Sequence, residues 1–350
     1  MRLTTASLPG TGGLLKSVPD DFVVEELPAY PPSGDGTHTF LWIEKRALTT
    51  DEAMQRVAAA LGADAREGGA AGMKDRQAVT RQWISLPNVD PDRARGLTLD
   101  GVRVLEAARH PHKLRTGHLR GNRFVVTLRG TTDGVERARA ILDALAQRGL
   151  ANYFGAQRFG ARGDNARLGR AILDGKPGPR SRSQRRLVVS AYQSELFNRY
   201  LDRRIADDLL AIAVEGDVLK KTDTGGLFTA DAAALADAQA RLDAGALAVT
   251  GPMFGHKMMS PPPGSPSRAR EDALLAEEGL DARAFAKAGA LAEGTRRPLT
   301  VPVGDAAVRA ADEPSAIVLS FVLPPGAYAT VLLAEVTKAT SNDPSSAGVR

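Results

Sequence analysis

"AIVLSFVLPPGAYATVLLAEV", residues 316–336, decides what kind of chain this is. Taken as one apolar run, it has the length of a membrane span, about 20 residues. Three residues in its middle forbid that reading. Pro324 and Pro325 remove two backbone donors and Gly326 adds a flexible turn position, so no helix or strand runs through. The first part, "AIVLSFVL", then reads as an apolar strand. The last part, "AYATVLLAEVTK", reads as an amphipathic helix with Leu332, Leu333 and Val336 turned inward. At the other end, "MRLTTASLPGTGGLLKSVPDDF" lacks the continuous apolar centre of a signal peptide, and the expectation is a cytoplasmic chain.

The same mixture of strand and helix recurs upstream. "HTFLWIEK" (38–45) is a strand with apolar side chains on both faces. Thr49 and Glu52 have the spacing of a capping box, and Met54, Val57, Ala58 and Leu61 make one helical face behind it. "RQWISL" (81–86) and "RFVVTL" (123–128) are two more strands. Asp133 is placed to cap a helix whose stripe is Val135, Ala138, Leu142 and Leu145, with Gly149 at its end. After residue 175 the texture changes. "GKPGPRSRSQRR" has the composition of a domain junction. Ala-rich helical segments fill 231–248 and 271–292, and "SPPPGSPSRAR" (260–270) is expected to be irregular. Strands return from "RPLTVPVGD" (297–305) onward. The expected class is α+β: a discontinuous catalytic domain, residues 1–177 and 305–350, around a mainly helical or mixed insert, residues 178–304.

Composition narrows the chemistry. The 350 residues contain no cysteine, which removes disulfides, zinc–thiolate sites, iron–sulfur clusters and cysteine nucleophiles together. His110 and His112 have a spacing that chelates on a strand, but Arg109, Lys113 and Arg115 beside them repel a cation, and no metal is expected. A net charge of +5 says little alone. Its distribution says more. Residues 103–129 carry seven Lys or Arg against Glu106 alone, and residues 153–186 carry nine against Asp164 and Asp174. Such blocks suit a phosphate backbone, or else a solvated loop surface. The phosphate cradles G-x-x-x-x-G-K-[ST] and strand-borne G-x-G-x-x-G are missing, as is a G-x-S-x-G elbow.

Two stretches stand out as chemistry. "AGMKDRQAVTRQW" (71–83) sets Asp75 between Lys74 and Arg76 at a Gly turn. That suits either a soluble surface turn or one anionic group held ready beside a polyanion, its flanking cations keeping the carboxylate ionised. "ANYFGAQRFG" (151–160) offers aromatic faces for a base to stack on and an Asn for its polar edge, or else an aromatic core corner. "LLKSVPDDFVVEE" (14–26) and "SAYQSELFN" (190–198) read plainly as an entering strand and a helix start.

Together with "GTHTFLWIEK", "ARHPHKLRTGHLRGNRF" and "LPPGAYATVLLAEV", these stretches, in this order from residue 14 to 336, resemble the TruD family of tRNA pseudouridine synthases. Gln77 departs from the family's usual His, and residues 215–300 match weakly. The resemblance implies a pseudouridine-synthase domain with a mixed, largely antiparallel sheet, plus the family's TRUD insertion domain. It implies isomerisation of uridine 13 in the D arm of tRNA, with no cofactor and no metal. It makes Asp75 the catalytic aspartate, a nucleophile at C1′ or on the uracil ring or else a base at C2′, Lys16 a basic residue near the active site, and Phe22, Asn152, Phe154 and Tyr328 base-contacting positions. tRNA is the expected partner; no protein partner is evident and a monomer is expected. The rival readings are a non-catalytic RNA-binding protein using the same basic, aromatic-lined cleft, and an enzyme of free nucleotides, which would need a phosphate cradle.

Overall fold

The structure is a computed structural model that describes residues 1–15, 18–76 and 78–338. Its first part runs β1 (Gly12–Leu15), β2 (Phe22–Pro28), β3 (His38–Arg46), α1 (Thr50–Leu61), β4 (Gly69–Ala70), β5 (Val79–Pro87), α2 (Pro91–Ala94), β6 (Thr98–Leu99), β7 (Val102–His110) and β8 (Leu119–Thr131). Then come α3 (Gly134–Arg148), β9 (Leu150–Ala151), α4 (Asn165–Leu173) and α5 (Arg182–Ala206). The middle holds β10 (Val218–Lys221), β11 (Leu227–Thr229), α6 (Leu235–Asp243), β12 (Leu247–Met253), α7 (Pro266–Glu277), α8 (Ala282–Ala288) and β13 (Thr295–Pro298). The chain closes with β14 (Thr300–Val301), β15 (Gly304–Ala310), β16 (Ile317–Leu323) and α9 (Ala329–Thr337).

Among the described residues the main sheet has ten strands, ordered β15-β16-β8-β2-β5-β3-β7-β6, with β1 on β8 and β4 on β5. Every pair is antiparallel except β2 with β5. That parallel pair is short, Val23–Glu25 against Val79–Arg81, and then the strands part. Trp83, just beyond, gives its N–H to the Glu26 carboxylate at 3.3 Å instead of to a strand carbonyl. The sheet therefore opens near its middle, where a strand ladder leaves polar groups to be answered by side chains.

Each half of the opened sheet has its own apolar support. Thr49 caps α1 by accepting from Glu52 N, and Glu52 closes the reciprocal capping box. Val57, Ala58 and Leu61 of α1 pack with Leu41, Ile43, Ile84 and Leu86. On the other half, Phe22, Phe124, Val126 and Phe321 pack with Ile141 and Leu142 of α3 and Leu332 and Leu333 of α9. The buried Glu335 of α9 accepts from the amides and hydroxyls of Thr4 and Thr5, at 2.6–3.1 Å. These four donors satisfy a carboxylate that would otherwise be costly on an apolar helix.

In several places the structure departs from or adds to the sequence reading: "SAYQSELFN", read as a helix start, lies inside α5 (Arg182–Ala206). Asp133 does precede α3, but at φ +46° and without a side-chain cap; its carboxylate pairs with Arg137 instead. "SPPPGSPSRAR" is not wholly irregular: Ser265 caps α7 and Pro266 takes its first position, where the missing N–H has no partner to lose. The insert read as mainly helical or mixed holds, between and beside its Ala-rich segments, a four-stranded sheet, β11-β10-β12-β13, whose strands from 218 to 253 the sequence did not mark. Its strands are short and interleaved with helices. The apolar cluster is continuous from Phe22 to Leu219, Val249 and Phe285, so the second sheet shares packing with the first.

Candidate active site

Asp75 lies on the loop between β4 and β5, and buried polar groups hold that loop by its backbone. Thr50 Oγ1 accepts from Lys74 N at 2.9 Å and donates to Gln82 Oε1 at 2.9 Å. Gln82 Nε2 donates to Gly72 O at 3.1 Å. Lys45 Nζ donates to Asp75 O at 2.8 Å and to Leu48 O at 2.6 Å. Alternation explains Lys45: Leu41, Ile43 and Lys45 share one face of β3, so the lysine points inward where its neighbours do. It is fully buried, and burial pushes its ammonium down to about 8 against the opposing pull of Asp75.

The cations adjacent in sequence do not serve Asp75. Lys74 turns back to Glu26, Nζ to Oε2 2.8 Å, with side-chain exposures of 7% and 1%. Arg76 pairs with Glu52. A buried carboxylate needs a partner far more than an exposed one, and burial holds the Glu26 carboxyl above the usual range despite Lys74. Lys16 and Gln77 lie outside the described residues.

The exposed Asp75 side chain meets the "ANYFGAQRFG" segment. Gln157 Nε2 donates to Asp75 Oδ2 at 2.6 Å, across 82 residues of sequence. Tyr328, brought in by the turn after β16, stands close enough that Asp75 adds to the upward shift its phenol owes first to burial. Tyr328 meets Phe154 edge-on, centroids 6.0 Å apart. Gly155 makes that approach possible: a Cβ there would lie 2.8 Å from Tyr328 Cδ1 and 2.9 Å from Thr330 Oγ1. Asp75, Phe154 and Tyr328 thus border one opening.

The remaining site residues lie behind that opening. Asn152 is buried, its Nδ2 donating to Pro298 O at 2.9 Å and its Oδ1 accepting from Arg297. Both bonds run to β13. Phe154 has its amide and carbonyl held by Asn198, at 2.9 and 3.0 Å. The Arg297 guanidinium covers its ring, 4.0 Å from the centroid, which closes that face to a base. Phe22 is buried in the sheet against Phe124. Lys45, Glu26, Gln157 and Arg297 escaped the sequence reading. Gln157 stands within a quoted motif, and Lys45 is legible from the inward phase of its strand.

Among the described residues no group of three His, Asp or Glu is placed to hold a metal. His110 packs on Phe40 and Tyr30 instead, 4.4 and 5.3 Å between centroids. No helix among those residues is long and apolar enough to cross a membrane.

The mixed sheet parts at its parallel pair, β2 with β5, and the Asp75 carboxylate stands near Tyr328; this architecture has a counterpart among solved structures. A crystal structure of a putative tRNA pseudouridine synthase D from Methanosarcina mazei superposes with a TM-score of 0.79 over 97% of each chain, at 24% identity. The family model for tRNA pseudouridine synthase D (TruD) matches residues 1–178 and 181–336. The tRNA pseudouridine synthase D of Anaeromyxobacter sp. (strain Fw109-5) is 48% identical over 349 residues, 98% of this chain and 97% of its own. A tRNA pseudouridine synthase D of Thermus thermophilus is 42% identical over 340 residues, 97% of this chain and 92% of its own. The chain belongs to the TruD family of tRNA pseudouridine synthases.

Proposed function

We propose that this protein isomerises uridine to pseudouridine in tRNA, at position 13 of the D arm, with Asp75 as the catalytic carboxylate. The observation that carries the reading is the 2.6 Å hydrogen bond from Gln157 to Asp75, which joins the acidic loop to the aromatic segment. The reaction breaks N1–C1′, turns the uracil and joins C5 to C1′; the C5 proton leaves and N1 gains one, so nothing is oxidised or consumed. The nucleotide must first leave its stack, at a cost of a few kcal/mol. Tyr328 and the open part of Phe154 offset that cost by receiving the base, at roughly 1–3 kcal/mol per stacked base.

Asp75 acts in its ionised form at the ribose–base link, as the nucleophile of this reading. An exposed carboxylate with one amide donor keeps lone pairs open for that work. Asn152, Lys45 and Glu26 act through the backbone, holding the two loops in register. Phe22 supports the site from within the sheet. The discontinuous catalytic domain and its insert, with a cytoplasmic location, belong to the same proposal.

Incubating the protein with an unmodified tRNA transcript, labelling pseudouridine with a carbodiimide and mapping the adduct by reverse-transcription stops tests it. A stop reporting pseudouridine at position 13 is the expected result. Tight binding without any pseudouridine would favour the non-catalytic RNA-binding reading.

A further inference from the structure

The structure sorts the second basic block into paired and unpaired arginines. Arg162 and Arg167 lie near Asp164, and Arg170 pairs with Asp174 and Glu278. Arg158 and Arg186 have no carboxylate partner among the described residues, and both line one cavity of about 460 Å³ beside the first turns of α5. Ser183, Ser190 and Thr295 line it too. Glu293 is the acid at its rim, and it is paired with Lys257 at 3.3 Å.

Arg158 is built into this wall. Its Nε donates to Ser194 Oγ at 3.0 Å and its Nη2 to Ser190 Oγ, leaving Nη1 without a protein acceptor among those residues. The same guanidinium lies 5.4 Å from the centroid of Phe154, so the cavity begins where the proposed base site ends. Arg297 lies outside the cavity lining and sets a second cation on the Phe154 ring, 4.0 Å from its centroid. Burial pushes it down to about 10, and the nearby positive charge of Arg158 pushes the same way. Guanidiniums with hydroxyls around them, beside an acid already paired with a lysine, form a site that an anion completes.

We infer that this cavity binds the phosphodiester backbone of the RNA strand next to the nucleotide received at Phe154 and Tyr328, with Arg158 and Arg186 as its phosphate ligands. The inference rests on the proposed function and adds where the flanking strand runs: along α5, toward β12 and β13. Arg158 then couples the base site to the second sheet. Binding of the flanking phosphate neutralises the Arg158–Arg297 repulsion at the moment the base arrives.

The test measures the dissociation constant for a tRNA transcript between about 50 and 200 mM salt, for wild type, Arg158→Gln and Arg186→Gln. Each variant is expected to weaken binding by about tenfold at the lower salt and to flatten the log–log salt slope by about 0.7, the value for one phosphate contact on a single strand. Arg186 is exposed, so its variant remains decisive even if Arg158→Gln folds poorly. Wild-type affinity and slope in Arg186→Gln, in a protein that still makes pseudouridine, would overturn the inference alone. A wild type that makes no pseudouridine would instead overturn the proposed function.

Discussion

Lys45 reaches from the buried face of its strand to the backbone carbonyl of Asp75, Nζ to O 2.8 Å. A fully buried lysine therefore fixes where the acidic loop begins its turn, while the carboxylate itself stays exposed. This contact anchors the backbone of the residue separately from its side chain, which Gln157 meets.

The Lys45 ammonium is pushed down to about 8 by burial, below the 10.5 it has when unfolded. Below pH 8 both states are protonated and the folded one bears the cost of the buried charge. From pH 8 to about 10.5 the unfolded state binds more protons, so this group's contribution to stability rises with pH. Urea denaturation of wild type and Lys45→Met across pH 7.5–10 should show a wild-type slope more positive than the variant's, by up to about 1.4 kcal/mol per pH unit. Parallel curves would show that Lys45 titrates normally.

Lys74 and Glu26 form a buried pair under the same loop. Lys74→Met leaves Glu26 with only the Trp83 N–H and no cation, and is expected to cost about 3–5 kcal/mol of stability. Adding Glu26→Gln should recover most of that loss, because the remaining amide carries no charge. Chemical denaturation of the two singles and the double checks this; additive losses would contradict a buried pair.

Gln157 donates to Asp75 at 2.6 Å, and under the proposed function it positions the carboxylate. Gln157→Ala should lower kcat by about tenfold or more, the worth of one hydrogen bond to a charged group, with little change in KM. Gln157→Glu should be worse, since it sets a second carboxylate against the first. A KM effect with intact kcat would place Gln157 in RNA binding instead.

Gly155→Ala tests the packing of Tyr328. The backbone there accepts alanine, at φ −76°. The added Cβ would still press on the ring at 2.8 Å. Steady-state assays should show kcat/KM reduced by about tenfold, and melting should show a destabilisation of about 1–3 kcal/mol from overpacking. Unchanged kinetics would mean that Tyr328 can move without consequence.

Local rules carried much of this architecture from the sequence. The capping box at Thr49 and Glu52, the strand around Trp42 and the strand–turn–helix around Pro324 each follow from spacing within a few residues. The resemblance marked Asp75, Asn152, Phe154 and Tyr328; the fold brings Asp75, Phe154 and Tyr328 to one opening and sets Asn152 behind it. What the sequence hid is long-range choice of partner. Lys74 and Arg76 adjoin Asp75, yet Glu26 and Glu52 claim them. Asn152 has partners no local pattern shows: Pro298 and Arg297, some 145 residues away, take one of its N–H donors and one lone pair of its oxygen. The second sheet was missed because β10 and β11 have four and three residues, too few for a period to show.

The central claim is that Asp75 does the chemistry at the opening between the two loops. Quantifying pseudouridine in a tRNA transcript by nuclease digestion, cyanoethylation and mass spectrometry, for wild type and Asp75→Asn at matched tRNA occupancy, tests it most directly. The account predicts stoichiometric conversion by wild type and none by the variant, whose tRNA affinity stays within about threefold because an exposed carboxylate adds little to phosphate binding. Substantial conversion by Asp75→Asn would contradict it.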